Sequence, residues 1–361
     1  MRAWSTLNGG FDLSYTIVSQ CENNAACRKL LLAQRHSGCM FGDILSLLQD
    51  IPSNMVQNGR LDFERAKPAV MTAIAAAQAK CYAHSCQCST QEVADLDVSG
   101  SPCPPWSKAA RHRLRRHHPA VLPFLAFCAL MRTKRVPLLV HENVEGFDLP
   151  LLEELLGDLY EVDVIHAKPS DLGFEFIRRP RVYMVMCLRG RLRFKVKPSV
   201  LYSAVCAHMR ANARAHPDVL ASLWIETDAY FPTLTLKQAR FADTYAQMYT
   251  AKTGRDPASD PCGVFDLGQT PRRAKPVRGV LPTFRRSTRL WLPSKRRFWT
   301  QAEAAVAMGF PVLPQVADAC GVQPMRMLAG LPMAYLGNAM HVASVGSVCL
   351  IALIATEPCA E

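Results

Sequence analysis

Three short stretches hold residue types that could do chemistry together: SPCPPWS (101–107), HENVEGFD (141–148) and RRPRVYMV (178–185). Cys103 stands between Pro102 and Pro104. Proline fixes φ, restricts the residue before it and removes an amide donor, so the thiol sits on a stiff turn. A cysteine held at a strand end near basic groups can react as a thiolate. By itself the stretch reads first as a structural turn. Glu142 follows 39 residues later, at the end of an apolar run, with Asn143 beside it to fix a loop. Arg179 and Arg181 alternate, so on a strand they point to one side. A thiolate and a carboxyl group at neighbouring strand tips can add to an electron-poor ring and protonate it.

The elements that must carry these groups alternate along the chain. Strands are expected at 16–22, 93–99, 136–142, 160–167 and 181–188, with shorter ones near Trp4 and Met40. Helices are expected at 69–80, 120–132 and 149–159. Continuous apolar strands, each followed by a helix, describe an α/β fold: a mostly parallel sheet with helices on both faces. Ligands of such sheets sit at the carboxyl ends of the strands. Glu22, Asp43, Cys103 and Glu142 all fall at or just beyond those ends. After Leu188 the alternation stops, and 190–292 reads as an inserted smaller lobe. The helical pattern of 300–310 resumes the first theme. The expected organisation is therefore a core of 1–189, a lobe of 190–292 and a return to the core over 293–361.

Charge points to a polyanionic partner. The 361 residues carry 42 Lys+Arg against 30 Asp+Glu, a net charge of +12. Ten basic residues and no acid lie between Gly268 and Ala302, and ARHRLRRHH (110–118) forms a second run. Such blocks bind nucleic acid through counterion release. With 49% hydrophobic residues the chain can bury a large core, which excludes a disordered polyelectrolyte. Fourteen irregularly spaced cysteines, with no secretion signal expected, suit a reducing compartment. CYAHSCQC groups Cys81, His84, Cys86 and Cys88 but lacks paired CxxC spacing, so no metal is expected there. The segment 329–356 has no charged residue, yet its glycines, Pro332 and Asn338 suggest a loop entering a buried helix, and no stable membrane association is expected.

Taken in order, SPCPPWS, HENVEGF and RPRVYMV, with WTQAEAAVAMGFP (299–311) and LGNAMHVA (336–343), resemble the DNA (cytosine-5) methyltransferase family. NGGFDL (8–13), QCENN (20–24) and FGDI (41–44) are similar to its first three motifs, with a shortened glycine turn. Pro104 stands where the family often has Gln. The resemblance implies a Rossmann-like S-adenosyl-L-methionine-dependent methyltransferase core with a target-recognition lobe. It implies that Cys103 attacks cytosine C6 while Glu142, protonated, bonds N3, that Arg181 holds O2 and orients Glu142, and that Arg179 meets a backbone phosphate or the nucleophile loop. Gly9, Gly10, Phe11, Glu22, Asp43, Ile44 and Asn338 would hold the methyl donor. Arg111, Arg113, Arg115, Arg116, Arg272, Arg273, Arg285 and Arg286 would grip double-stranded DNA around a flipped base. The protein would act as a monomer in a nucleus or nucleoid. Two other readings stay open: a catalytically inactive DNA-binding derivative, and a tRNA cytosine-5 methyltransferase.

Overall fold

A short β-α-β unit opens the described chain. β1 (Ser19–Cys21) and β2 (Cys39–Phe41) run parallel with Cys21 opposite Phe41, and α1 (Ala25–Ala33) connects them. Asn24 caps α1 by accepting the amides of Ala26 and Cys27. The computed structural model describes residues 15–34, 38–52, 54–107, 114–212, 223, 233–272, 275–285, 287–326 and 334–359. These form two compact units. One contains 15–167, 180–205 and 346–359, and the other 168–179 with the described part of 206–345.

In the first unit β3 (Val56–Gln57) and β4 (Arg60–Leu61) make a hairpin. Its turn is Asn58-Gly59, both at positive φ, as a two-residue turn of this kind requires. α2 (Phe63–Met71) follows, capped by Asp62. Then comes a second hairpin, β5 (Gln78–Lys80) with β6 (Gln87–Ser89). The Ala-rich stretch 69–80 thus ends its helix at Met71 and becomes a strand. The reason is tertiary: burial alternates over Ala79, Lys80 and Cys81, and the cysteine side reaches β2.

The main sheet has the order β7 (Leu96–Gly100), β8 (Leu138–Asn143), β10 (Arg181–Leu188), β9 (Tyr160–Ala167). β7 is parallel to β8, while β10 is antiparallel to both β8 and β9. Three of the four strands therefore run one way and the inserted β10 runs back. The expected parallel character holds for direction, but the sheet is mixed, because 168–180 supplies no crossover helix between β9 and β10. Every residue of β8 is buried, as its apolar run requires of a strand covered on both faces. α3 (Leu122–Lys134) and α4 (Leu149–Leu156) belong to the same core, with Phe124, Leu125 and Leu152 joining Leu139 and Met184. Beyond β10, β11 (Leu192–Phe194) pairs with the C-terminal strand Thr356–Pro358.

The second unit is built on β12 (Phe265–Asp266), β13 (Leu290–Leu292) and β14 (Arg297–Phe298), an antiparallel set. The helix Gln301–Ala307 starts in a capping box of Thr300 and Glu303. Glu303, fully buried, meets Arg297 at 2.6 and 2.9 Å. Ala304, Ala305 and Met308 lie in one core with Ile177, Leu281, Leu292 and Trp299. The two compact units divide the chain at other points than the expected core and lobe. The helix of 300–310 belongs to the second unit because its apolar face is buried there, and the chain returns to the first unit at 346 rather than 293. The apolar segment Tyr335–Ala355 is long enough to cross a membrane by length and composition alone. It is divided into helices Ala334–Asn338 and Val342–Ala355, and His341, Val348, Ile351, Ala352 and Ala355 are buried.

Candidate active site

The carboxyl ends of β7 and β8 lie side by side, with Gly100 in register with Glu142. Polar side chains lock the exit of β7 onto β8. Asn143 Nδ2 donates to the Ser101 carbonyl at 3.2 Å and lies 2.9 Å from Ser101 Oγ. His141 is held between Ser99 Oγ at Nδ1 and Ser101 Oγ at Nε2, each at 3.0 Å. Cys103 is exposed, and its carbonyl accepts the amides of Trp106 and Ser107, both at 3.0 Å, closing the turn. The far end of that turn is pinned as well: Trp106 is buried edge-on to Phe147, ring centroids 5.6 Å apart. A Cβ on Gly146 would come within 2.6 Å of the Trp106 carbonyl oxygen, so the close approach of the two loops requires glycine there. The 101–107 loop is therefore anchored on both sides of Cys103 to the segment that carries Glu142.

Glu142 faces β10. Tyr183 is its direct partner in the antiparallel register, which puts Arg181, two residues away, on the same face at the diagonal. Arg181 Nε lies 2.7 Å from Glu142 Oε1, an ion pair whose N–H does not point along a hydrogen-bond line. Nη1 of the same guanidinium donates to the Pro180 carbonyl at 2.8 Å. Both side chains are 12% exposed, so the pair is largely shielded from water. Arg179 belongs to the other unit, where it is buried and donates to the carbonyls of Gly337 and Ala339. There it holds the 337–339 segment through those two carbonyls.

Glu22 and Asp43 stand just past the carboxyl ends of β1 and β2, as the rule for parallel strands predicts. Glu22 Oε1 accepts the Asn24 amide at 2.6 Å, and Asp43 accepts the Leu45 amide at 3.0 Å with Asn23 Nδ2 at 3.4 Å. Ile44, next to Asp43, is half-buried. Asn338 is exposed at the end of helix Ala334–Asn338, in the second unit. Gly9, Gly10 and Phe11 lie outside the described residues, as do Arg111, Arg113, Arg273 and Arg286. Arg115 is exposed with a left-handed φ of 47°. Arg116 grips Asp148 at 2.7 and 3.1 Å, and Arg285 reaches the buried Asp266 at 3.5 Å, so both hold the fold through acids distant in sequence. Arg272, Lys275, Arg289, Lys295 and Arg296 are exposed on the second unit.

His141 has a structural role at this junction. It is 1% exposed and packs 4.5 Å from the Phe127 ring, and burial pushes its pKa down to about 3. The unfolded chain then binds more protons than the folded one between about pH 3 and 6.5, so stability falls as pH drops through that window. Each pH unit costs about 1.4 kcal/mol at most for this group. Urea midpoints measured at pH 5 and pH 7 should show the loss, and His141→Gln should flatten it; an unchanged slope would count against the buried neutral imidazole.

The three-dimensional fold has relatives among solved structures. The chain is similar in fold to the S. pombe Dnmt2 methyltransferase. The match has a TM-score of 0.50 and 13% identity, over 98% of this chain and 93% of the other. Matches to the Entamoeba histolytica methyltransferase EhMeth (TM-score 0.46, 11% identity, 98% and 92% covered) and to a Spodoptera frugiperda DNMT2 mutant (0.45, 14%, 98% and 94%) lie lower. No family model matches the sequence, and no curated protein does. At this identity the likeness to Dnmt2 carries the methyltransferase fold, and the chemistry rests on the residues described above.

Proposed function

We propose that this chain is a cytosine-5 methyltransferase acting on DNA. The observation that supports the reading is the double anchoring of the Cys103 loop to 142–146, with the Cys103 thiol and the Glu142 carboxyl group at adjacent strand ends. Cytosine C5 is a weak nucleophile. Addition of the Cys103 thiolate to C6 moves electron density onto C5, and Glu142, in its acid form once the base is bound, donates a hydrogen bond at N3 that stabilises the resulting enamine. Arg181 keeps Glu142 in place through Nε and leaves Nη2 for the cytosine O2. Once C5 is methylated and gives up its proton to a base, the Cys103–C6 bond breaks and the thiolate is restored.

S-adenosyl-L-methionine would supply an electrophilic methyl group on a sulfonium. The residues present fit its adenosine half: Glu22 offers acceptors to the ribose diol, Asp43 to the adenine amine, and Ile44 an apolar contact for the ring. The exposed Arg272, Lys275, Arg289, Lys295 and Arg296 suit a phosphate backbone, and extruding the target base costs about a few kcal/mol. Such an enzyme would work in the nucleus or nucleoid. The test is transfer of labelled methyl groups to duplex DNA and, in parallel, to tRNA. Label at cytosine C5 of DNA is expected. Label in tRNA alone would overturn the substrate, and nucleic-acid binding without any incorporation would overturn the enzyme.

A further inference from the structure

Cys39 on β2 meets the turn of the β5–β6 hairpin. Its Sγ, Cys81 Sγ and Cys88 Sγ lie 3.7, 3.5 and 3.3 Å from one atom, His84 Nδ1. The four donor atoms all fall within 4.8 Å of one another. Tetrahedral zinc, with bonds of about 2.3 Å to sulfur and about 2.0 Å to nitrogen, needs S···N edges near 3.6 Å and S···S edges near 3.8 Å. We infer that Cys39, Cys81, His84 and Cys88 form a structural zinc site.

The surrounding backbone is built for thiolate ligands. The amide of Met40 points at Cys81 Sγ from 3.4 Å, and the amides of Ala83 and His84 donate to the same sulfur. Such outer-shell bonds orient and stabilise metal-bound sulfur. The turn itself is fixed by the Cys81 amide bonding the Cys86 carbonyl at 2.8 Å, by Ser85 at a left-handed φ of 58°, and by the Tyr82 amide bonding the Met40 carbonyl at 2.7 Å. Cys86 is exposed, with its Sγ 3.8 Å from that of Cys88, and lies outside the four. Three sulfurs and one imidazole nitrogen favour zinc over hard cations, and four protein ligands leave no open position for catalysis. Binding releases the protons of the three thiols and leaves a site of net charge −1. Its role is to clip the hairpin to the strand that leads, four residues on, to Asp43. Any effect on methyl-donor binding rests on the proposed function; the metal itself does not.

The full chain, made in zinc-supplemented medium and purified with a thiol reductant, should hold about one zinc per chain by elemental analysis. Cobalt(II) in its place should give the d–d bands of a tetrahedral ion and thiolate charge-transfer bands. Cys39→Ser should lower zinc content to below about a tenth, and Cys86→Ser should leave it unchanged. Should Cys39→Ser fail to fold, Cys39→His must retain zinc, and zinc added to stripped wild-type chain must raise its melting temperature. Wild-type protein without zinc and without cobalt bands would overturn the site. So would retention by Cys39→Ser with loss in Cys86→Ser.

Discussion

Replacing Cys103 by serine is expected to lower methyl transfer by about 10⁴-fold or more while leaving the melting temperature unchanged. The side chain is exposed, so the substitution opens no cavity, and the turn is held by backbone bonds to Trp106 and Ser107 that serine keeps. What changes is the attacking atom. A serine hydroxyl is ionised far less than a thiol and is less polarizable, and with Glu142 and Arg181 engaged at the ring no base is spared for it. Single-turnover rates on cytosine-containing duplex measure the effect. A serine variant within tenfold of wild type would show that position 103 is only a turn.

Gly146→Ala is expected to lower kcat by about 100-fold without weakening methyl-donor affinity. The added Cβ would meet a backbone oxygen, that of Trp106, at 2.6 Å, and backbone cannot swing aside as a flexible side chain would. Either the 103–107 turn or the 142–147 segment must shift, and an error of about 1 Å in a reacting atom is costed at about that factor. Glu22 and Asp43 follow two other strands, β1 and β2, so donor titrations should be unaffected. A wild-type kcat in this variant would remove the coupling between the two loops from the account.

Much of this arrangement was legible because it is local. β9 and β10 begin and end where their apolar runs do, and β8 differs from its run by two residues at the start and one at the end. The three motif stretches fall at strand ends because strand and turn signals alternate cleanly there. The hidden parts depend on residues far apart. An Ala-rich stretch favours helix until the partner of Cys81, 42 residues upstream at Cys39, is known, and no spacing rule links the two. The basic tract of 268–302 reads as ten unpaired charges, yet Arg278 meets Asp260, Arg285 meets Asp266 and Arg297 meets Glu303. The run without acids hid them because each partner comes from outside that window or from another turn of the chain. Likewise Gly146 carries no sequence sign that it must admit the Trp106 carbonyl.

The most direct measurement of the central claim uses duplex DNA carrying 5-fluorocytosine together with S-adenosyl-L-methionine. Fluorine at C5 cannot leave as a proton, so the Cys–C6 bond cannot break once C5 is methylated. Intact-mass analysis and peptide mapping should find a stable adduct on Cys103 and not on Cys21 or Cys86, the other exposed thiols among the described residues. Absence of an adduct on DNA, or an adduct that persists in Cys103→Ser, would contradict the assignment.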